Sequence, residues 1–133
     1  MRAVHLAVCA AAILALAGCG KKSDAAQVES TIRTYYTAFA NGDSAKACDQ
    51  LSDATRASLE KRAGGRKCAD LLSAASQRPN VQKVEPGLKN PKITNVKVTG
   101  NTATATATVR GTSTTVPLKK ENGHWRIAIL SGG

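Results

Sequence analysis

Residues 92–130 read KITNVKVTGNTATATATVRGTSTTVPLKKENGHWRIAIL, and this stretch decides the fold class. From Thr102 to Thr108 threonine and alanine alternate without a break. That is the two-residue period of a strand, not the 3.6-residue period of a helix. Working outward, Gly100-Asn101 separates two such runs as a two-residue hairpin turn would, and Asn122-Gly123 centres a second turn. The predicted strands are residues 92–99, 102–110, 113–120 and 124–130, and short turns make neighbours antiparallel. Trp125, Ile127 and Ile129 share one face of the last strand, Val96 and Val98 one face of the first, and Val116 and Leu118 one face of the third. Pro117 has no N–H to give a ladder, so it suits an edge or a bulge. The alternating half is read as starting at Val81, punctuated by Pro86-Gly87, Asn90-Pro91 and Gly111. The three alanines of residues 102–108 either let a helix approach closely or leave missing volume as a cavity.

Upstream the period is helical. Val28, Ile32, Tyr35, Tyr36 and Phe39 form one stripe of an amphipathic helix over residues 25–40, with Ser23 or Asp24 as N-cap and Asn41-Gly42 as the stop. A second helix runs from Asp43 or Ser44 through Cys48 to Leu51. Ser52-Asp53 caps a third over residues 54–62, Gly64-Gly65 breaks it, and a fourth carries Cys68, Leu71, Leu72 and Ala75 up to Pro79. Helices first and antiparallel strands after define an α+β domain, with the helices packed on one side of a curved sheet.

Of the 133 residues, 42% are hydrophobic, but 15 of these lie in residues 1–18. Met1-Arg2 is a short positive start, and residues 6–17 (LAVCAAAILALA) are unbroken apolar sequence, the length of a secretory leader's core and too short for a membrane span. The run ends in Leu16-Ala17-Gly18-Cys19, which resembles the bacterial lipobox, where cleavage falls before a cysteine that takes a diacylglyceryl group. The expected organisation is a signal peptide over residues 1–18, a lipid-anchored linker over 19–24 and one domain over 25–133. Localisation is then the extracytoplasmic side of the cell membrane, held by Cys19. Two acyl chains anchor stably, and Lys21 and Lys22 add about 1 kcal/mol each at an anionic surface.

Cleavage removes Cys9 and acylation occupies Cys19, leaving Cys48 and Cys68 as an even pair in an oxidising setting, where a disulfide is expected. A metal pair would need further ligands, and the mature chain offers His124 alone. A redox or catalytic thiol would more often show C-x-x-C or a histidine partner. Only 19 of the 115 mature residues are Leu, Ile, Val or Phe, a level at which folding is not assured without a covalent tie.

Residues 28–51 (VESTIRTYYTAFANGDSAKACDQL), the strands of residues 95–109 (NVKVTGNTATATATV) and the closing NGHWRI of residues 122–127 together resemble the nuclear transport factor 2-like, or cystatin-like cone, superfamily, and within it small bacterial lipoproteins. Cys48 and Cys68 look like a disulfide of its actinobacterial members. The resemblance implies a helix-lined cone, in a family that often dimerises through its sheet. It also implies a choice between isomerase- or cyclase-type enzymes and non-catalytic binding domains. The enzymes need a shielded acid or base, whereas residues 79–133 offer only Glu85, Glu121 and His124, the last two beside a turn. We therefore expect no catalytic residue, metal or cofactor. The expected function is a non-enzymatic binding or interaction module at the cell envelope, with a small-molecule or lipid carrier as the alternative and an isomerase- or cyclase-type enzyme behind both. Candidate pocket-lining residues are Tyr35, Tyr36, Phe39, Ala105 and Trp125.

Residues 79–133 carry 8 basic and 2 acidic groups, against 8 and 6 in residues 25–78. Nucleic acid is not the expected partner, because an exported protein rarely meets it and the strands lack interleaved aromatics. Solvated edge lysines, an anionic envelope polymer or a small apolar ligand fit the balance better.

Overall fold

The computed structural model describes residues 22–129. The leader, Cys19 and Leu130 lie outside these described residues. Helix α1, Asp24–Ala40, starts where the Ser23 side chain accepts the Ala26 N–H, and it places Asp24 in its first turn, where a negative charge suits the helix dipole. It stops at Asn41-Gly42, with Gly42 at φ 76°. The predicted stripe is the buried face: Val28 and Ile32 are fully buried, and Tyr35, Tyr36 and Phe39 pack against the same core.

Helix α2, Ser44–Asp49, is capped by Asp43, and α3, Asp53–Arg62, by Ser52. Helix α4, Cys68–Ser76, begins at its cysteine, and the Cys48–Cys68 disulfide ties α2 to α4 across a sequence separation of 20. The second helix ends two residues before the predicted Leu51. There the Ser52 N–H donates to the Ile127 carbonyl and the Ile127 N–H to the Gln50 carbonyl, drawing residues 50–52 onto the sheet as a parallel bridge.

Residues 79–88 are two short helices, α5 (Pro79–Gln82) and α6 (Glu85–Leu88), rather than the beginning of the sheet. Pro79 and Pro86 occupy first-turn positions, where proline's fixed φ favours a helix and its missing N–H costs nothing. Gly87 lets α6 lie on the sheet, since a Cβ there would meet Val109 at 3.1 Å and the Arg110 stem at 2.7 Å.

Strands β1 (Lys92–Thr99), β2 (Thr102–Val109), β3 (Thr112–Glu121) and β4 (His124–Ile127) form one antiparallel sheet in chain order. The molecule is therefore α+β, helices followed by a four-stranded antiparallel sheet. Strand β1 contains a bulge between Thr94 and Lys97, with Asn95 at φ 52°. Ile93 and Val96 are three residues apart and would face opposite sides of a regular strand. The extra residue resets the alternation, so Ile93, Val96 and Val98 all pack on the core.

Ala103, Ala105 and Ala107 point at the helices and are at most 5% exposed, while their threonine neighbours face outward. Ala105 is paired with Val116 and is 1% exposed, so the small face is covered by the helices. Ala105→Leu should cost about 1 to 3 kcal/mol in urea denaturation, as overpacked cores do. A neutral or stabilising result would mean that the alanine face borders empty space.

Strand β4 is shorter than expected. The Ala128 N–H still donates to the Pro117 carbonyl, but the Ile129 N–H donates to Thr55 Oγ1 on α3, and the chain leaves the sheet. Trp125 and Ile127 share the buried face as expected, whereas Ile129 does not join them and is 53% exposed. Among the described residues no helix is long and apolar enough to cross a membrane.

Candidate functional site

Where β4 ends early, a cleft of about 530 Å³ opens between α1, the bridge at residues 50–52 and the uncovered edge of β3. It is lined by Tyr35 and Tyr36 of α1, Leu51 of the bridge, Thr114, Thr115, Val116 and Pro117 of β3, Thr104 of β2 beside Pro117, and Ile127 and Ile129 where the chain leaves the sheet. The residues lining it carry no charge. Its size falls in the range of small-ligand sites, about 300–1,000 Å³.

The tyrosines are held by their own packing. Their ring centroids lie 5.5 Å apart at 81°, an edge-to-face pair, and Tyr35 stacks on Phe39 at 6.3 Å and 10°. Neither hydroxyl has a hydrogen-bond partner among the described residues, so both can donate to or accept from whatever enters the cleft. Burial raises the Tyr35 pKa from 10.0 to about 12, with a smaller push from Tyr36, and burial also raises that of Tyr36. Both are therefore neutral phenols at any physiological pH.

The Tyr35 shift has a stability consequence with a definite sign. The unfolded chain loses the proton near 10.0 and the folded chain near 12, so the stabilisation is complete below pH 10 and disappears as pH rises through 12. Tyr35→Phe should flatten this alkaline loss by about 2 kcal/mol relative to the parent, read as urea midpoints between those two pH values. Parallel pH profiles for the two proteins would mean that the hydroxyl is solvated.

Of the sequence-derived candidates, Tyr35 and Tyr36 line the cleft and Phe39 backs Tyr35. Ala105 and Trp125 lie in the core, at 1% and 2% exposure. The Trp125 indole Nε1 donates to Asp24 Oδ1 at 2.9 Å, and Lys120 Nζ donates to the same oxygen at 2.8 Å while sitting 5.6 Å above the indole ring. Leu51, Val116, Ile127, Ile129 and Thr114 were not anticipated at the site. Pro117 carried the one sequence signal for it, as a residue that marks where a strand loses its neighbour.

Glu121 and His124 line a separate polar groove of about 400 Å³ with Asp49, Asp53, Arg56 and Arg126. Two of its three carboxylates are engaged: Glu121 accepts the Asp53 N–H at 3.1 Å and pairs with Lys119 at 3.0 Å, and Asp53 pairs with Arg56. Glu85 pairs with Lys89 at 2.6 Å. Among the described residues no group of three or more His, Cys, Asp or Glu is placed to hold a metal ion. Comparison with protein-family models, with curated proteins and with solved structures gives no match.

Proposed function

We propose that this chain is a non-enzymatic binding module at the cell envelope, tethered to the membrane through a lipidated Cys19 and recognising its ligand in the Tyr35–Tyr36 cleft. The observation that carries the proposal is the cleft itself: apolar walls, no charge, and two neutral phenols without partners. That is the composition of a binding site in which apolar contact supplies affinity and a few polar groups supply orientation. The leader pattern ending in LAGC supports the tether, and the helix-then-sheet order is compatible with a cone-type domain of the nuclear transport factor 2-like kind.

Two variants test the two halves. Cys19→Ser should move the protein from the membrane fraction to the soluble one, and continued membrane association would sink the tether. Thr114 is exposed at the mouth of the cleft, so Thr114→Trp should block it without disturbing the core. The neutral dye Nile red should bind the parent chain and lose about tenfold in affinity on Thr114→Trp at unchanged thermal stability. Binding that Thr114→Trp leaves intact would place the ligand elsewhere.

A further inference from the structure

The sheet treats its open edges differently. Strand β1 presents Lys92 and Lys97 and interrupts its edge with the bulge at Asn95, both of which discourage a foreign strand. The outer edge of β4 is covered at Ile127 by residues 50–52. Strand β3 has neither protection over residues 112–116, which are uncharged, regular in register with β2, and exposed as far as Thr115.

The hydrogen bond from the Ala128 N–H to the Pro117 carbonyl shows that the backbone of residue 117 faces the β4 side. Alternation then turns the N–H and C=O groups of Thr115 and Ser113 to that same side, where β4 is no longer present. Neither residue's backbone has a partner there among the described residues. The open segment is five residues, about 17 Å of strand. Its inner face, Thr114 and Val116, forms part of the cleft.

We infer that an extended peptide segment docks on the free edge of β3, continuing the line that β4 abandons. This deepens the reading of the cleft as the binding site and rests on it. Main-chain bonds to Ser113 and Thr115 would supply register, and alternate side chains of the segment would point into the cleft beside Tyr35 and Tyr36. Those side chains are apolar, to match walls that carry no charge.

Charge selects among the candidate occupants. Arg62 borders a small hollow that shares Ile129 with the cleft, and Arg110 stands at the turn leading into β3 with its guanidinium on the Lys83 carbonyl at 2.6 Å. Neither arginine has a carboxylate partner among the described residues. The chain carries 19 basic against 9 acidic residues, so a second copy brings like charge to the edge, whereas a segment with acidic residues flanking its apolar ones is attracted. The occupant is thus an acidic-flanked, alternately apolar peptide.

The test uses the full chain and a blocked synthetic peptide, Asp-Thr-Leu-Thr-Leu-Thr-Asp. Hydrogen exchange at the Ser113 and Thr115 amides should slow about tenfold in the complex, and replacing both Asp by Lys should weaken binding about tenfold at low salt. Because the Thr115 N–H points away from β2, Thr115→Pro should leave the β2–β3 ladder intact and abolish peptide binding. Should Thr115→Pro not fold, a peptide N-methylated at its edge-facing amides makes the same comparison on the parent chain. Dye binding without peptide protection of those two amides would overturn the strand inference and leave the cleft reading standing. Failure of both ligands would remove the cleft reading as well. A dimer in sedimentation that Thr115→Pro dissociates would give the edge to a second copy and overturn the peptide.

Discussion

Replacing Cys48 and Cys68 together by serine is expected to cost the domain about 3 kcal/mol, the chain-entropy value for closing a loop of this length. Domains of this size hold only about 5–15 kcal/mol in total. The expected outcome is a urea midpoint lowered by a large fraction, with partial unfolding at growth temperature. The tie matters here because the elements it joins are short, α2 six residues and α4 nine, and α3 between them buries only Thr55, so the unfolded loop it closes has little structure of its own to lose. Reduction of the parent protein should reproduce the loss. A double variant as stable as the parent would show that packing of α2 and α4 on α1 suffices. Both cysteines are at most 5% exposed, so serine also places two hydroxyls in the core, and the comparison is made against Cys48→Ala with Cys68→Ala.

The largest single-residue effect is expected at Trp125. It is the sole tryptophan, 2% exposed, and its ring carries the contact between β4 and the first turn of α1. Trp125→Ala should cost about 3–5 kcal/mol, from lost burial and the cavity left behind. It also strips Asp24 of its indole donor. Trp125→Phe keeps most of the volume and loses the hydrogen bond, so its cost should be about 1–2 kcal/mol. Far-UV circular dichroism in urea is the readout, since both variants lack the fluorophore. Equal costs for the two would make the Asp24 hydrogen bond dominant, and a cost below about 1 kcal/mol for Trp125→Ala would remove Trp125 from the core.

What was legible in the sequence was whatever rests on local periodicity or on parity. The Thr-Ala alternation set a strand, and the turns at Gly100-Asn101 and Asn122-Gly123 set antiparallel neighbours. The stripe from Val28 to Phe39 set the buried face of α1, and two remaining cysteines set the disulfide. Three things were hidden for physical reasons. Pro79 signals the end of a helix and Pro86 a break between strands, although the same fixed φ starts a helical turn at each. The bulge at Asn95 has no periodicity of its own and shows only as an odd spacing between Ile93 and Val96. The end of β4 is decided by Thr55, 74 residues away, which takes the Ile129 N–H. The cleft exists because of that departure, and its walls come from Tyr35, Leu51, Val116 and Ile127, so no window of sequence contains it.

The Asp24 contact also sets how the domain answers a mechanical load. A pull on the chain ahead of residue 24 meets one carboxylate held at once by Lys120 on β3 and Trp125 on β4. The force enters as shear across α1 and two strands together, rather than peeling α1 open turn by turn. Were the chain tethered at Cys19 as proposed, only residues 20–23 would separate the anchor from that clamp. The domain would then ride close to its membrane, and a load on that tether would reach α1, β3 and β4 together.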